Sequence, residues 1–165
     1  MFKLFKNDNN WSENLIKDAE LLRLHRLLKE QIKENFSGHL RFYILDSGSC
    51  NGCELELQAL FNPLYDVASL GIEVVYDSTN ADILLITGLM TENMYNEVKL
   101  TYEKLKEPKR VISIGDCPLM KAPFTNTFAL KSQGINIFPV SQYIGGCPPE
   151  PKLLLRSLLK YLKNL

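Results

Sequence analysis

The sequence has no long apolar run and no excess of charge of either sign. Each of these absences argues against a class of protein. No apolar run, Ile83–Ile86 included, approaches the roughly 20 residues of a membrane-spanning helix. The first ten residues, MFKLFKNDNN, lack the apolar core of a signal peptide. Nineteen basic residues balance nineteen acidic ones, so a nucleic-acid-binding surface is not indicated. We expect no nucleic-acid partner and a protein that is cytosolic or peripheral on the cytosolic side of a membrane.

Cysteine is also scarce, but its placement is informative. The chain has four cysteines, Cys50, Cys53, Cys117 and Cys147, all in turn-like segments flanked by glycine or proline. A buried structural cysteine would usually stand inside an apolar run instead. In a reducing cytosol such cysteines indicate metal binding or catalysis rather than structural disulfides.

The order of predicted elements indicates an α/β protein. After a first helix over residues 11–35, which Ser12 can cap, strands and helices alternate along the chain. The predicted strands cover residues 39–46, 72–77, 81–88, 109–116 and 135–141, and the later helices cover 53–61, 91–107 and 149–162. Such alternation predicts a doubly wound parallel sheet with right-handed crossovers and, here, an extra N-terminal helix.

This fold would bring the four thiols together, because sites in such sheets lie outside the carboxyl ends of the strands. Each of the four cysteines follows a predicted strand: two follow the first strand, one follows the fourth and one follows the last. The sequence therefore places four thiols at one edge of the sheet.

Three kinds of site use such thiols. A thioredoxin-like redox pair needs only Cys50 and Cys53, and leaves Cys117 and Cys147 unexplained. Structural zinc also takes four thiolates, but usually from two close pairs. An iron–sulfur cluster is held by four thiolates, and glycine-rich loops offer it backbone N–H groups. The spacing favours a cluster, with zinc and a redox pair as the alternatives.

Three motifs add a resemblance to a known family. In this order and at these intervals, GSCNGCELE, GDCP and GGCPPEP resemble the small, electron-transfer subunit of membrane-bound, energy-converting nickel–iron hydrogenases. They also resemble the homologous B subunit of complex I, in the NADH–ubiquinone oxidoreductase 20 kDa subunit family. The resemblance covers residues 38–165. Complex I subunits carry adjacent cysteines in the first motif, whereas this chain has C-x-x-C, which favours the hydrogenase branch.

The resemblance implies a flavodoxin-like iron–sulfur domain over residues 38–165, preceded by a tail and helix over 1–37. It implies one 4Fe–4S cluster, the one nearest the active site of the large subunit. The family's ligands map onto Cys50, Cys53, Cys117 and Cys147. Four cysteines suffice for one such cluster.

The same resemblance implies a subunit of an oxidoreductase complex on the cytoplasmic side of the cell membrane. Its partners would be a large catalytic hydrogenase-like subunit with the nickel–iron centre, a ferredoxin-like iron–sulfur subunit and membrane subunits. The chain would pass electrons between ferredoxin-type clusters and that centre. The alternatives are a complex I-like quinone oxidoreductase subunit and a stand-alone four-cysteine zinc or thiol-redox protein.

A family glutamate linked to proton movement near the cluster maps onto Glu56. Glu56 is the third residue after Cys53, so helical geometry places both on nearly the same face. We expect Glu56 to act as a proton relay, and Leu55 and Leu57 to turn toward the core.

Other charged residues near the motifs have simpler expected roles. Asp46 and Asp116 flank the cysteine loops and are expected to accept hydrogen bonds from loop amides. His25 and His39 lie away from the cysteine edge and are expected to be ordinary surface or packing residues.

Two stretches depart from the family pattern. CPLMKAPF, residues 117–124, replaces a small, glycine-rich segment close to the partner. Glu150 stands where relatives often carry a basic residue, and a carboxylate there is expected to lower the potential of the cluster.

Overall fold

The computed structural model describes residues 18–119, 121, 127–131 and 138–165. Four α-helices and five strands occur within these ranges. The helices are α1 Ala19–Phe36, α2 Gly52–Ala59, α3 Glu92–Lys104 and α4 Pro151–Leu162. The strands are β1 Leu40–Asp46, β2 Ile72–Val74, β3 Ile83–Thr87, β4 Val111–Ile114 and β5 Gln142–Ile144.

The five strands form one sheet in the order β2-β1-β3-β4-β5. Every neighbouring pair is parallel. This order is that of flavodoxin-like doubly wound sheets, so the predicted fold class is confirmed. It also places the carboxyl ends of β1, β3, β4 and β5 side by side.

Both faces of the sheet are covered, which explains the continuous apolar run of β3. Ile83 and Leu85 pack on one face with α1, α2 and α4. Leu84 and Ile86 pack on the opposite face with α3. Because successive strand side chains point to opposite faces, a strand buried on both must be apolar throughout.

Helix α1 packs beside α4 and starts later than the sequence pattern predicts. Asp18 accepts a hydrogen bond from the Leu21 amide and forms the N-cap, so the helix starts at Ala19 rather than Trp11. Residues 11–17, with the predicted cap Ser12, lie outside the described residues. Arg156, in the middle of α4, donates two hydrogen bonds to Glu20 in the first turn of α1, at 2.7 and 2.8 Å.

The last predicted strand, over 135–141, is wrong in position. Strand β5 covers Gln142–Ile144, and Phe138 to Ser141 are not in a strand; residues 135–137 lie outside the described part. Pro139 has no N–H to give to a sheet ladder, so pairing with β4 begins only beyond it. The other predicted elements are present, with ends that differ by a few residues.

Within the described ranges, no helix is long and apolar enough to cross a membrane. The carboxyl edge of the parallel sheet carries the loops of the four cysteines.

Candidate functional site

The first cysteine pair sits in a loop ordered by its own side chains. Asp46 Oδ1 accepts hydrogen bonds from the amides of Gly48, at 2.7 Å, and Ser49, at 2.6 Å, as expected. Helix α2 then begins at Gly52. Cys50 is exposed in the loop and Cys53 is buried in the first turn of the helix, so one thiol faces outward and the other inward.

The third cysteine follows β4 in a short 3₁₀ turn, Cys117–Leu119. Gly115 leads into this turn with a φ of +93°. A Cβ built on Gly115 would lie 2.8 Å from Cys53 Sγ. Only glycine fits both the backbone conformation and the space, and the third loop therefore lies directly against Cys53.

The fourth cysteine follows β5, in a loop that contacts the other two. The Asp116 amide donates to the Gly146 carbonyl at 2.9 Å, and the Gly146 amide donates to Asp116 Oδ1 at 2.9 Å. A Cβ on Gly52 would lie 3.5 Å from Cys50 Sγ and 3.8 Å from Pro148 Cβ. The expected amide-bonding role of Asp116 is thus confirmed, and the three loops that carry the four cysteines converge.

The thiols also influence one another electrostatically. Burial, followed by the charges of Glu54, Cys117, Cys50 and Cys147, raises the pKa of Cys53 to about 12. Burial is also the main cause that raises the pKa of Cys117, followed by Cys147 and Cys50. Without a cation between them, Cys53 and Cys117 are neutral at pH 7. A bound metal would reverse this by stabilising the thiolates.

All four cysteines are free thiols, without a disulfide. In the part of the chain that the structure describes, no group of three or more His, Cys, Asp or Glu side chains is arranged to hold a metal ion. Tetrahedral zinc, with Zn–S bonds of about 2.3 Å, would bring its four sulfurs to about 3.8 Å from one another.

A 4Fe–4S cluster makes a different geometric demand. Each thiolate binds a different iron, so the ligand sulfurs lie farther apart than around a single ion. Four thiols, carried by three converging loops in which a Cβ on Gly52, Gly115 or Gly146 would contact a neighbouring atom, are the donor set that such a cluster requires.

The helix after the first pair differs in part from expectation. Leu57 is buried, as predicted, but Leu55 is 56% exposed. Cys53, Leu57 and Leu60 follow at four and three residues and form the buried face, whereas Leu55 points away from it. Glu56 is half-buried, and its proton-relay role stays a prediction.

Sequence reasoning missed Glu54. Thr87, at the carboxyl end of β3, donates a hydrogen bond to Glu54 Oε1. The other oxygen, Oε2, is buried and has no hydrogen-bond partner among the described residues. The position of Glu54 directly after Cys53 could have marked it as a candidate site residue. Its contact with Thr87, 33 residues away, is visible only in the fold.

A cleft of about 490 Å³ runs from the first cysteine loop along α2 to the β1–β2 edge. Asn51 and Glu54 line it from α2 and its preceding loop, and Tyr43 lines it from β1. Tyr76, at its rim, is 95% exposed. Tyr76 at the cleft and Leu55 on α2 are large hydrophobic side chains that are exposed in this part of the chain.

The structure also locates the remaining residues singled out in the sequence. His39 is exposed beside β1, and His25 is half-buried on α1. Glu150 forms the N-terminal boundary of α4, and its carboxylate lies 3.9 Å from Arg156. Of CPLMKAPF, residues 120 and 122–124 lie outside the described part, while Pro118 is buried.

Comparison with known proteins identifies the family of the chain. The family model for the 20 kDa subunit of NADH–ubiquinone oxidoreductase matches residues 50–161. The probable membrane-bound hydrogenase subunit mbhJ of Pyrococcus furiosus is 40% identical over 126 residues, which cover 73% of this chain and 72% of the relative. The B subunit of the NADH-quinone oxidoreductase of Clostridium beijerinckii is 34% identical over 157 residues, covering 94% and 88%.

Among solved structures, a chain of the membrane-bound sulfane sulfur reductase, an archaeal respiratory membrane complex, superposes with a TM-score of 0.65. It is 27% identical, and the match covers 84% of this chain and 76% of that one. The predicted resemblance to subunits of oxidoreductase complexes is therefore confirmed. The chain belongs to the family of the 20 kDa subunit of NADH–ubiquinone oxidoreductase.

Proposed function

We propose that this protein is the electron-transfer subunit of a membrane-associated, nickel–iron hydrogenase-type complex, and that Cys50, Cys53, Cys117 and Cys147 hold a single 4Fe–4S cluster. The observation that carries the proposal is the convergence of the three cysteine loops at the carboxyl edge of the sheet. When bound, the cluster would supply one-electron transfer.

The residues around the thiols divide into an inner and an outer side. Cys53 is buried against Gly115, in contact with the core of the sheet. Cys50 and Cys147 are exposed, so the outer side of the cluster would face solvent in the isolated chain. Electron entry and exit would take place on this side, because transfer requires close approach of the partner's redox centre.

A large catalytic subunit would cover that outer side. Leu55 and Tyr76 extend the exposed surface with apolar side chains, and exposed apolar surface of this kind marks an interaction site. A partner there would exclude water from the thiolates. We place the ferredoxin-like subunit and the membrane subunits in the same complex, on the cytoplasmic side of the membrane.

Glu56 is proposed as a proton relay between this chain and the large subunit. It stands on α2 three residues beyond Cys53 and is half-buried, so partner binding would enclose it further. Glu54 lies one residue from the same cysteine but is held by Thr87, which leaves Glu56 as the freer carboxylate of the two.

A complex I-like quinone oxidoreductase subunit is the second candidate. The match with the B subunit of an NADH-quinone oxidoreductase over 94% of this chain favours it, and the C-x-x-C spacing of the first motif favours the hydrogenase type. A stand-alone zinc or thiol-redox protein is not favoured, because the family assignment places the chain among subunits of oxidoreductase complexes.

The test is to purify the complex through a tag on this chain, with Cys117 intact or changed to serine. We expect hydrogen-dependent reduction of an artificial acceptor in the intact complex and its loss in Cys117→Ser. The S = 1/2 signal of the reduced cluster should also be lost or altered, with partner subunits still present. Quinone reduction without hydrogen turnover would select the second candidate, and a full-strength cluster signal in Cys117→Ser would contradict the ligand assignment.

A further inference from the structure

Asp116 joins the loops of Cys117 and Cys147 through two hydrogen bonds with Gly146. Its amide donates to the carbonyl of Gly146, and its Oδ1 accepts from the Gly146 amide, both at 2.9 Å. Cys117 follows Asp116 directly, and Cys147 follows Gly146 directly. The paired bonds therefore fix the separation of the two backbone segments that carry these cysteines.

The surrounding backbone leaves this pair little freedom. The Gly115 amide donates to the Ile144 carbonyl at 2.7 Å, which continues the β4–β5 pairing up to Asp116. The Asp116 carbonyl accepts from the Lys121 amide at 3.2 Å and closes the turn around Cys117. A Cβ on Gly145 would lie 3.1 Å from Asp116 Oδ1, so the carboxylate fills the space beside the loop that carries Cys147.

The carboxylate also brings a negative charge beside both loops, because Asp116 directly precedes Cys117 and its Oδ1 accepts from Gly146, which directly precedes Cys147. A negative charge next to two ligands of a cluster would disfavour the addition of an electron, because the reduced form of the cluster is the more negative. The Gly146 amide, which donates to Asp116, is also withheld from hydrogen bonding to a cluster sulfur.

We propose that Asp116 is a positioning residue for the cluster: its bonds to Gly146 set the spacing of Cys117 and Cys147, and its charge lowers the reduction potential. The inference rests on the proposed function for the cluster, whereas the spacing role can be measured in the full chain without a cluster.

Two substitutions separate the two roles. Asp116→Ala removes the oxygen that accepts from Gly146, and we expect the complex to lose iron to a chelator about tenfold faster or more, the range for a lost hydrogen bond to a charged group. Asp116→Asn keeps an oxygen at the same position but removes the charge. We expect it to lose iron within about fivefold of the wild-type rate, more slowly than Asp116→Ala, and to have a higher midpoint potential.

Asp77→Ala is the matched control. Asp77 Oδ1 also accepts a hydrogen bond from a backbone amide, that of Thr79 at 2.9 Å, but in the turn that leads back toward β3. Iron release and midpoint potential should both keep their wild-type values.

Amide exchange of Gly146, measured by NMR in the cluster-free full chain, gives a readout independent of the cluster. We expect faster exchange in Asp116→Ala and wild-type exchange in Asp116→Asn. Wild-type exchange or wild-type iron release in Asp116→Ala overturns the spacing role. An unchanged potential in Asp116→Asn overturns the charge role, even where Asp116→Ala fails to fold. If the wild-type complex holds no cluster, the proposed function fails, and Gly146 exchange alone still decides the spacing role.

Discussion

Replacing Gly115 with alanine is predicted to displace Cys53 and weaken the site. The new Cβ would lie 2.8 Å from Cys53 Sγ, and the φ of Gly115 is +93°. Forcing an L-residue into such a conformation costs about 1–2 kcal/mol. Inserting a carbon into a well-packed site costs about 1–3 kcal/mol, so the free energy of unfolding should fall by about 2–5 kcal/mol in total.

Gly38→Ala isolates the backbone part of this change. Gly38 has a φ of +90°, but a Cβ there would have nothing within 4 Å. We expect Gly38→Ala to lower the free energy of unfolding by about 1–2 kcal/mol. The difference between the two variants then reports the contact with Cys53.

Urea unfolding of the cluster-free chain measures both variants, and iron content after reconstitution measures the effect on the site. Gly115→Ala should be the less stable variant and should bind less iron than Gly38→Ala. In a double-mutant cycle, Cys53→Ala should remove most of the extra destabilisation. Equal stability losses in the two glycine variants, together with full iron content in Gly115→Ala, would refute the packing of the third loop against Cys53.

Three further predictions concern Cys53, Leu55 and Glu56. In the cluster-free chain the Cys53 thiol is protonated in both the folded and unfolded states below pH 9. The contribution of the buried thiol to the free energy of unfolding is therefore fully present there. Between pH 9 and about 12 only the unfolded state ionises. As the pH rises to 10.5, the free energy of unfolding of the wild type should therefore fall by about 2 kcal/mol more than that of Cys53→Ala. Parallel pH profiles of the two proteins would contradict the burial of this thiol. Leu55→Glu should reduce the amount of large subunit that copurifies, whereas Leu100→Glu, an equally exposed leucine on α3, should not; equal losses would count against the proposed interface. Glu56→Gln should slow turnover of the complex by at least tenfold, because the loss of a proton-transferring group typically costs about 10²–10⁴ in rate. Cluster content should stay unchanged, and Glu97→Gln is the control. Unchanged turnover would remove Glu56 from the proton path.

The sheet and the cysteine edge were predictable because their signals are local. The alternation of apolar segments with helical patterns predicts a parallel sheet, and each cysteine stands directly after a strand. The parallel topology then brings these strand ends together without further information. Asp46 and Asp116 were predictable for the same reason, since aspartates in turns accept bonds from nearby amides.

The errors arose where tertiary contacts decide the outcome. The sequence predicts Leu55 in the core, but the helical angle set by Cys53 and Leu57 turns it outward. The sequence also predicts the last strand too early, because Phe138 and Val140 match a strand pattern despite Pro139 between them. Glu54 has a role only through its contact with Thr87, which no local pattern contains.

The measurement that tests the central claim most directly is the metal and sulfide content of the purified complex, quantified per copy of this chain. Because the proposed partner subunits would carry iron of their own, the count is taken as the difference between the wild-type complex and Cys117→Ser, with subunit stoichiometry checked in both. Ligation of one cluster by Cys50, Cys53, Cys117 and Cys147 predicts that about four iron and four acid-labile sulfide per chain are present in the wild type and lost or reduced in the variant. Zinc bound to this chain, or equal iron and sulfide in the two complexes, would contradict it.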